Sequence, residues 1–463
     1  MTALLRLRES ASAAWVAAGG VLVCAILGLL VGVSPKYAIE GVLGIGFVLL
    51  VFADLAAGVA IFAALSFLSD ITSGSSALSF DKVLGILLIA SWLARRSTSA
   101  RSDARTVIGN HPRLFAAIIA FLAWSTLSVL WAVSSGTAFS YLFVDVLDLL
   151  LIPVVYGAIG TRRDAYLIVG GFIAGGIVTA GYGLLHPATA PVAGTVYQPG
   201  RLASAAGDAN QTAADLAATL MMALGLGVVA RRSVPVRVLA VVAIAFSLIG
   251  IVQTLSRSGL VALGAGLLGG VIFGGRWRRQ AIRLLVLGVV LVVGYFALFA
   301  SASSVSRVTS SNSDGRNTIW TVAWRMFEAN PGLGVGTGNF QTAAHMYLVR
   351  PGSTPSGYLI ITTPEPTHNV YLQMLAELGV PGLILLLAVF VGGVLVALRA
   401  AHIFDRLGDR ELEVLARCAV LALVAYLASD FFLPDLQLKQ FWLVFAIGLA
   451  TFKLARTELR PSA

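Results

Sequence analysis

Apolar runs long enough to cross about 30 Å of hydrocarbon recur along the whole chain, separated by short polar breaks. The first, Ala13 to Val33, is 21 residues without a charge. Similar runs follow it directly, so it reads as a span rather than a cleaved signal peptide. Taking each run as a helix predicts spans at 13–33, 38–53, 55–71, 80–95, 113–133, 139–160, 164–185, 211–230, 236–254, 258–275, 284–300, 370–398, 413–431 and 439–455. The fold class that follows is all-α: a polytopic integral membrane helical bundle of about 12–14 transmembrane helices with a long, partly helical extracytoplasmic loop between late helices.

That loop divides the chain into transmembrane helices with short loops (1–300), an extracytoplasmic loop (301–369) and C-terminal transmembrane helices (370–463). Its first part, Ser301 to Asp314, is Ser-rich. Trp320, Ala323, Trp324 and Phe327 then recur at i, i+3, i+4 and i+7, which predicts a short helix ended by Asn330-Pro331 and lying on the membrane surface. Gly332, Gly334, Gly336 and Gly338 follow. No strand precedes them, so they read as tight turns packed against the bilayer rather than as a nucleotide loop. His368 opens a short helix whose face it shares with Tyr371, Leu372 and Leu375, and Gly379 and Pro381 break that helix before the next span.

Composition agrees: of 463 residues, 58% are hydrophobic and 12% charged, with mean hydropathy +0.89, so water is not the main solvent. The net charge of +10 is a topology signal rather than a nucleic-acid footprint. Most of the 32 basic residues, among them Arg95, Arg96, Arg162, Arg163, Arg276, Arg278, Arg399 and Arg406, fall in alternate loops, which predicts both termini in the cytoplasm. The bias holds only if the chain around Asp54 is two helices. No cytoplasmic loop is long enough for a nucleotide-binding domain, and Cys24 and Cys418 sit far apart in apolar runs as small hydrophobes.

Three arginines break the inside bias: Arg201, Arg257 and Arg316. Each reads either as a loop residue or interfacial anchor, or as part of a group of guanidiniums converging on an anion at headgroup level, where the planar fork suits phosphate oxygens. Asp145 and Asp148, at i, i+3, read as a proton path or as partners of a polar cavity, and Asp215 carries the same ambiguity. His186, His345 and His368 lack the spacing of a metal site.

Ser256-Arg257-Ser258-Gly259, the Gly-Arg-Asn-Thr-Ile-Trp run at 315–320, Asn330-Pro-x-x-Gly-x-Gly336 and His368-Asn369-x-Tyr371-Leu372 before a Gly-Val-Pro-Gly helix entry occur in that order. In this the sequence resembles the O-antigen ligase and polymerase superfamily. The resemblance implies a membrane glycosyltransferase of the bacterial plasma (inner) membrane, with its active site extracytoplasmic and with no cofactor, metal or nucleic acid. It implies a glycan donor linked to undecaprenyl diphosphate, a glycan, lipid or protein as acceptor, and membrane lipid as surroundings. By motif, His368 is the catalytic residue, Arg257, Arg316 and, more loosely, Arg201 hold the donor diphosphate, and Ser256, Asn369, Tyr371 and Asn210 support them. A polymerase of the same superfamily is the nearest alternative. A transporter of lipid-linked sugars, the alternative of another class, predicts polar residues through the midplane and an inverted repeat.

Overall fold

The computed structural model describes residues 35–68, 80–98, 107–186, 201–203, 208–229, 233–302, 304–305, 315–348, 358–362, 364–433 and 436–459. The span expected at 13–33, with Cys24, and most of the Ser-rich stretch before Gly315 lie outside these residues. The longer helices are α1 (Pro35–Ala53), α2 (Leu55–Leu65), α3 (Phe80–Thr98), α4 (Pro112–Ser128), α5 (Ser135–Ala158), α6 (Arg162–Leu185) and α7 (Ala209–Val229), followed by α8 (Val234–Gln253), α9 (Arg257–Phe273), α10 (Arg278–Leu298), α11 (Arg316–Ala329), α12 (Val370–Leu407), α13 (Arg410–Ser429) and α14 (Lys439–Glu458). No strand occurs among the described residues. Seven helices, α5, α6, α7, α8, α10, α12 and α13, are long and apolar enough to cross a membrane, and shorter apolar stretches lie in α1, α2, α4 and α9. The chain is an all-α, multi-pass membrane protein.

Polar side chains at the breaks decide where the helices start. Asp54 accepts the backbone N–H groups of Ala56 and Ala57 at 3.0 and 3.1 Å, which makes α2 a helix separate from α1. Thr161 and Asp164 close a capping box at the start of α6. Within α12 the chain leaves helical geometry at Gly379 (φ 65°, ψ −168°), so 370–378 forms a short helix before the long apolar one.

At the centre stands α14, buried on every side from Phe441 to Ala450 and packed against α5, α12 and α13. One end of the bundle is rich in arginine and bound by charge: Arg162 reaches Asp409 at 2.6 Å and Glu458 at 2.7 Å, and Glu413 takes Arg276 at 2.9 Å and Arg417 at 2.8 Å. At the opposite end a second, smaller core unites Ile319, Val322 and Met326 of α11 with Val335, Phe340 and Ala376. Helix α11 buries Ile319, Val322, Ala323 and Met326 in that core and leaves Trp324 49% exposed, so the helix has two apolar faces and uses the aliphatic one for packing.

Candidate functional site

At the end opposite the arginine-rich one, α8 reverses into α9 through a tight turn. Leu255 takes a left-handed φ of 49°, and Ser256 then caps α9 by accepting the Gly259 N–H at 3.2 Å. A second strand of chain is stitched to this turn: Leu202 donates its N–H to the carbonyl of Gln253 at 2.9 Å, and Arg201 Nε donates to that of Thr254 at 2.6 Å. The amide oxygen of Asn210, in the first turn of α7, accepts from Arg201 Nη2 at 3.2 Å and from Ser256 Oγ at 2.8 Å. Ser258 Oγ lies 2.8 Å from Ser256 Oγ. The structure thus brings three of the expected residues, Arg201, Asn210 and Ser256, into one knot, from which Arg257 emerges as the first residue of α9. Arg201 is no exposed loop residue: it is buried, with part of its guanidinium spent on backbone.

The second group surrounds His368. Its φ is also 49°, and Leu255 and His368 are the two non-glycine residues with left-handed backbone among those described. Such a conformation costs an ordinary L-residue on the order of 1–3 kcal/mol and persists only where the surroundings enforce it. Thr367, fully buried, does much of the enforcing. Its carbonyl accepts the Trp320 indole N–H at 2.9 Å, and its hydroxyl donates to Gln373 Oε1 at 3.0 Å. Beyond His368, Asn369 caps α12 by accepting the Leu372 N–H at 3.0 Å, and Val370 donates its N–H to the Asp430 carbonyl at 2.9 Å. The Tyr371 hydroxyl donates to the Leu427 carbonyl at 2.7 Å, and its ring packs on Phe431. Asn369 and Tyr371 therefore build the frame. The His368 ring is 22% exposed, with Nε2 3.7 Å from Glu365 Oε2, while Nδ1 is buried with no hydrogen-bond partner among the described residues.

The glycine-rich turn lies between these groups in sequence, and from Gly334 onward it is buried in the protein rather than laid on its surface. Gly334, Gly336 and Gly338 all have positive φ. A Cβ on Gly334 would lie 2.2 Å from the Glu377 backbone, and one on Gly338 would lie 2.4 Å from the Tyr141 ring. Glu377, 1% exposed, organises the turn: Oε2 accepts the Gly338 N–H at 2.7 Å, and Oε1 accepts the Phe340 N–H at 3.0 Å and Gln373 Nε2 at 3.2 Å.

Helix packing sets the two groups level. Helices α9 and α13 pack antiparallel, with Arg417 hydrogen-bonded to the Phe273 carbonyl. From that contact α9 climbs roughly 16 residues, about 24 Å, to Arg257, and α13 climbs roughly 13 residues, about 20 Å, to Asp430, which holds Val370. Roughly one helical turn below Asp430, Tyr426 of α13 donates to Asp215 of α7 at 2.7 Å. Asp215 is thus a partner in helix packing, and Asp145 accepts from Gln437 at 3.0 Å. Arg316 begins α11, which packs on α12 and is tied by Trp320 to the residue before the histidine. Sequence reasoning missed Thr367, Gln373 and Glu377. The one available signal was an acid, Glu377, placed among apolar residues just before the Gly379 break.

A multi-pass helical membrane protein carrying a polar site at one end is the class defined by these features. Residues 242–387 match a family model described as O-antigen ligase, and the match supports membership of the O-antigen ligase superfamily. The matched segment contains Ser256, Arg257, Arg316, His368, Asn369 and Tyr371, while Arg201 and Asn210 precede it. No curated protein matches the chain.

Proposed function

We propose that this protein transfers a glycan from an undecaprenyl-diphosphate-linked donor to an acceptor hydroxyl at the outer face of the plasma membrane, with inversion and without a metal ion. The observation that carries this reading is the backbone strain: left-handed backbone falls at Leu255, two residues before Arg257, and at His368, the expected base itself. Strain of this kind gathers where side chains are held for chemistry.

In this reading, the acceptor oxygen attacks the anomeric carbon as the bond to the diphosphate oxygen breaks, and the electron pair leaves with the diphosphate. His368 takes the proton of the acceptor hydroxyl, the general-base role that an imidazole nitrogen can fill when it lies within hydrogen-bond reach of the attacking oxygen. Arg257 and Arg316 face the leaving diphosphate. Both are the first residues of helices, α9 and α11, so each adds the positive end of a helix to its guanidinium. Because negative charge grows on the diphosphate as the bond breaks, these groups stabilise the transition state more than the ground state. Arg201, Asn210 and Ser256 hold the turn that presents Arg257, and membrane lipid surrounds the donor's polyprenyl tail.

The test is transfer in liposomes carrying the lipid-linked donor and a candidate acceptor. Wild-type protein gives acceptor-linked product, and His368→Ala, Arg257→Ala and Arg316→Ala each lose it while inserting normally. Wild-type turnover in all three variants contradicts the proposal. A ladder of lengthening chains from donor alone moves the reading to a polymerase.

A further inference from the structure

The carboxylate of Glu377 is placed to do more than close a turn. It receives three N–H donors, from Gly338, Phe340 and the side chain of Gln373. Because the amide nitrogen of Gln373 points to Glu377, its amide oxygen must face the other way, and there it accepts the Thr367 hydroxyl at 3.0 Å. The same hydroxyl also lies 3.2 Å from the Asn369 carbonyl, so it joins Gln373 to the backbone just beyond the histidine. The Thr367 oxygen then faces the Asn369 N–H at 3.4 Å, on the far side of His368. With its carbonyl fixed by Trp320, Thr367 is held at two atoms, one peptide before the left-handed histidine. Hydrogen bonds thus connect a buried carboxyl group, through Gln373 and Thr367, to the backbone on which the imidazole is mounted.

We infer that Glu377 is a positioning residue for His368, acting through Gln373 and Thr367. The inference rests on the proposed role of His368 as the base. Both side-chain oxygens at position 377 accept N–H groups: a glutamine there offers one oxygen to donors that now share two, and its own N–H groups would confront those of Gly338 or Phe340 or turn Gln373 around. Either outcome releases Thr367, and a shift of about 1 Å in a reacting group is enough to lower a rate by about 100-fold.

The experiment measures kcat and donor KM for Glu377→Gln and Gln373→Leu in liposomes with lipid-linked donor. Gln373→Leu breaks the relay and leaves the two bonds from Glu377 to the glycine turn in place. Both variants are expected to lower kcat about 10- to 100-fold with donor KM within about twofold of wild type, the pattern of a lost transition-state interaction. Should Glu377→Gln fail to insert, Gln373→Leu and Thr367→Val carry the test alone. Wild-type kcat in Gln373→Leu overturns the inference, as does a rise in donor KM that matches the fall in kcat, which marks general disturbance of the fold. His368→Ala separates this inference from the reading it rests on. If that variant turns over like wild type, the base assignment itself fails; if it is inactive while Gln373→Leu is normal, only the relay fails.

Discussion

Trp320 donates its indole N–H to the carbonyl of Thr367 at 2.9 Å, tying the helix that begins at Arg316 to the residue before His368. One hydrogen bond thus sets the spacing between a proposed diphosphate ligand and the proposed base. Trp320→Phe keeps an aromatic ring in place and removes the donor. Its expected cost in stability is about 1 kcal/mol, read as a shift in thermal unfolding, with a larger proportional fall in transfer rate.

The glycine-rich turn offers a sharp internal control. Gly332 has open space where a Cβ would go, whereas Gly334 combines a φ of 68° with backbone 2.2 Å from the added atom. Gly332→Ala should leave thermal stability and transfer unchanged. Gly334→Ala should destabilise by about 1–3 kcal/mol or more and abolish transfer.

At Arg257 and Arg316, lysine separates charge from geometry. Lysine keeps the positive charge but loses the fork that engages two phosphate oxygens at once. Arg257→Lys and Arg316→Lys are expected to lower kcat/KM about 10-fold and the alanine variants about 100-fold or more, consistent with about 1.5–3 kcal/mol for each charged hydrogen bond. Equal rates for lysine and arginine would show that charge alone matters.

Far from the site, His111 predicts a pH dependence of stability. It stands just before α4 begins, packs edge-on to Phe452, and is held neutral: burial first, and the charges of Arg456 and Arg399 after it, push its pKa down to about 4. The unfolded chain takes up this proton near pH 6.5, while the folded chain resists it. Stability from this residue is therefore complete above about pH 6.5 and is lost as pH falls toward 4. His111→Gln should flatten that part of the thermal-stability profile.

Much of the fold was legible in the sequence because spans and breaks are local features. Asp54 announces a helix start by its own side chain, and Gly379 marks a break because its φ excludes most other residues. The second core was not legible: Ile319, Val322 and Met326 interleave with Trp320, Trp324 and Phe327, so α11 looks apolar on two faces and periodicity alone does not choose between them. Nor was the burial of Arg201, whose partners Thr254 and Asn210 are distant or on another helix. Motif reading singled out the residues in Ser256–Gly259, at Arg316 and at His368. It missed Glu377, because a lone carboxylate on a short helix looks like a solvent-facing residue until the turn that wraps it is seen.

The most direct measurement of the central claim is equilibrium binding of the lipid-linked diphosphate donor to detergent-purified wild-type protein and to the Arg257→Ala, Arg316→Ala and His368→Ala variants. If guanidiniums grip the diphosphate and the imidazole acts only on the acceptor, both arginine variants weaken donor binding by about 10-fold or more, and the histidine variant binds like wild type yet does not transfer. Undiminished donor binding in both arginine variants would contradict the account.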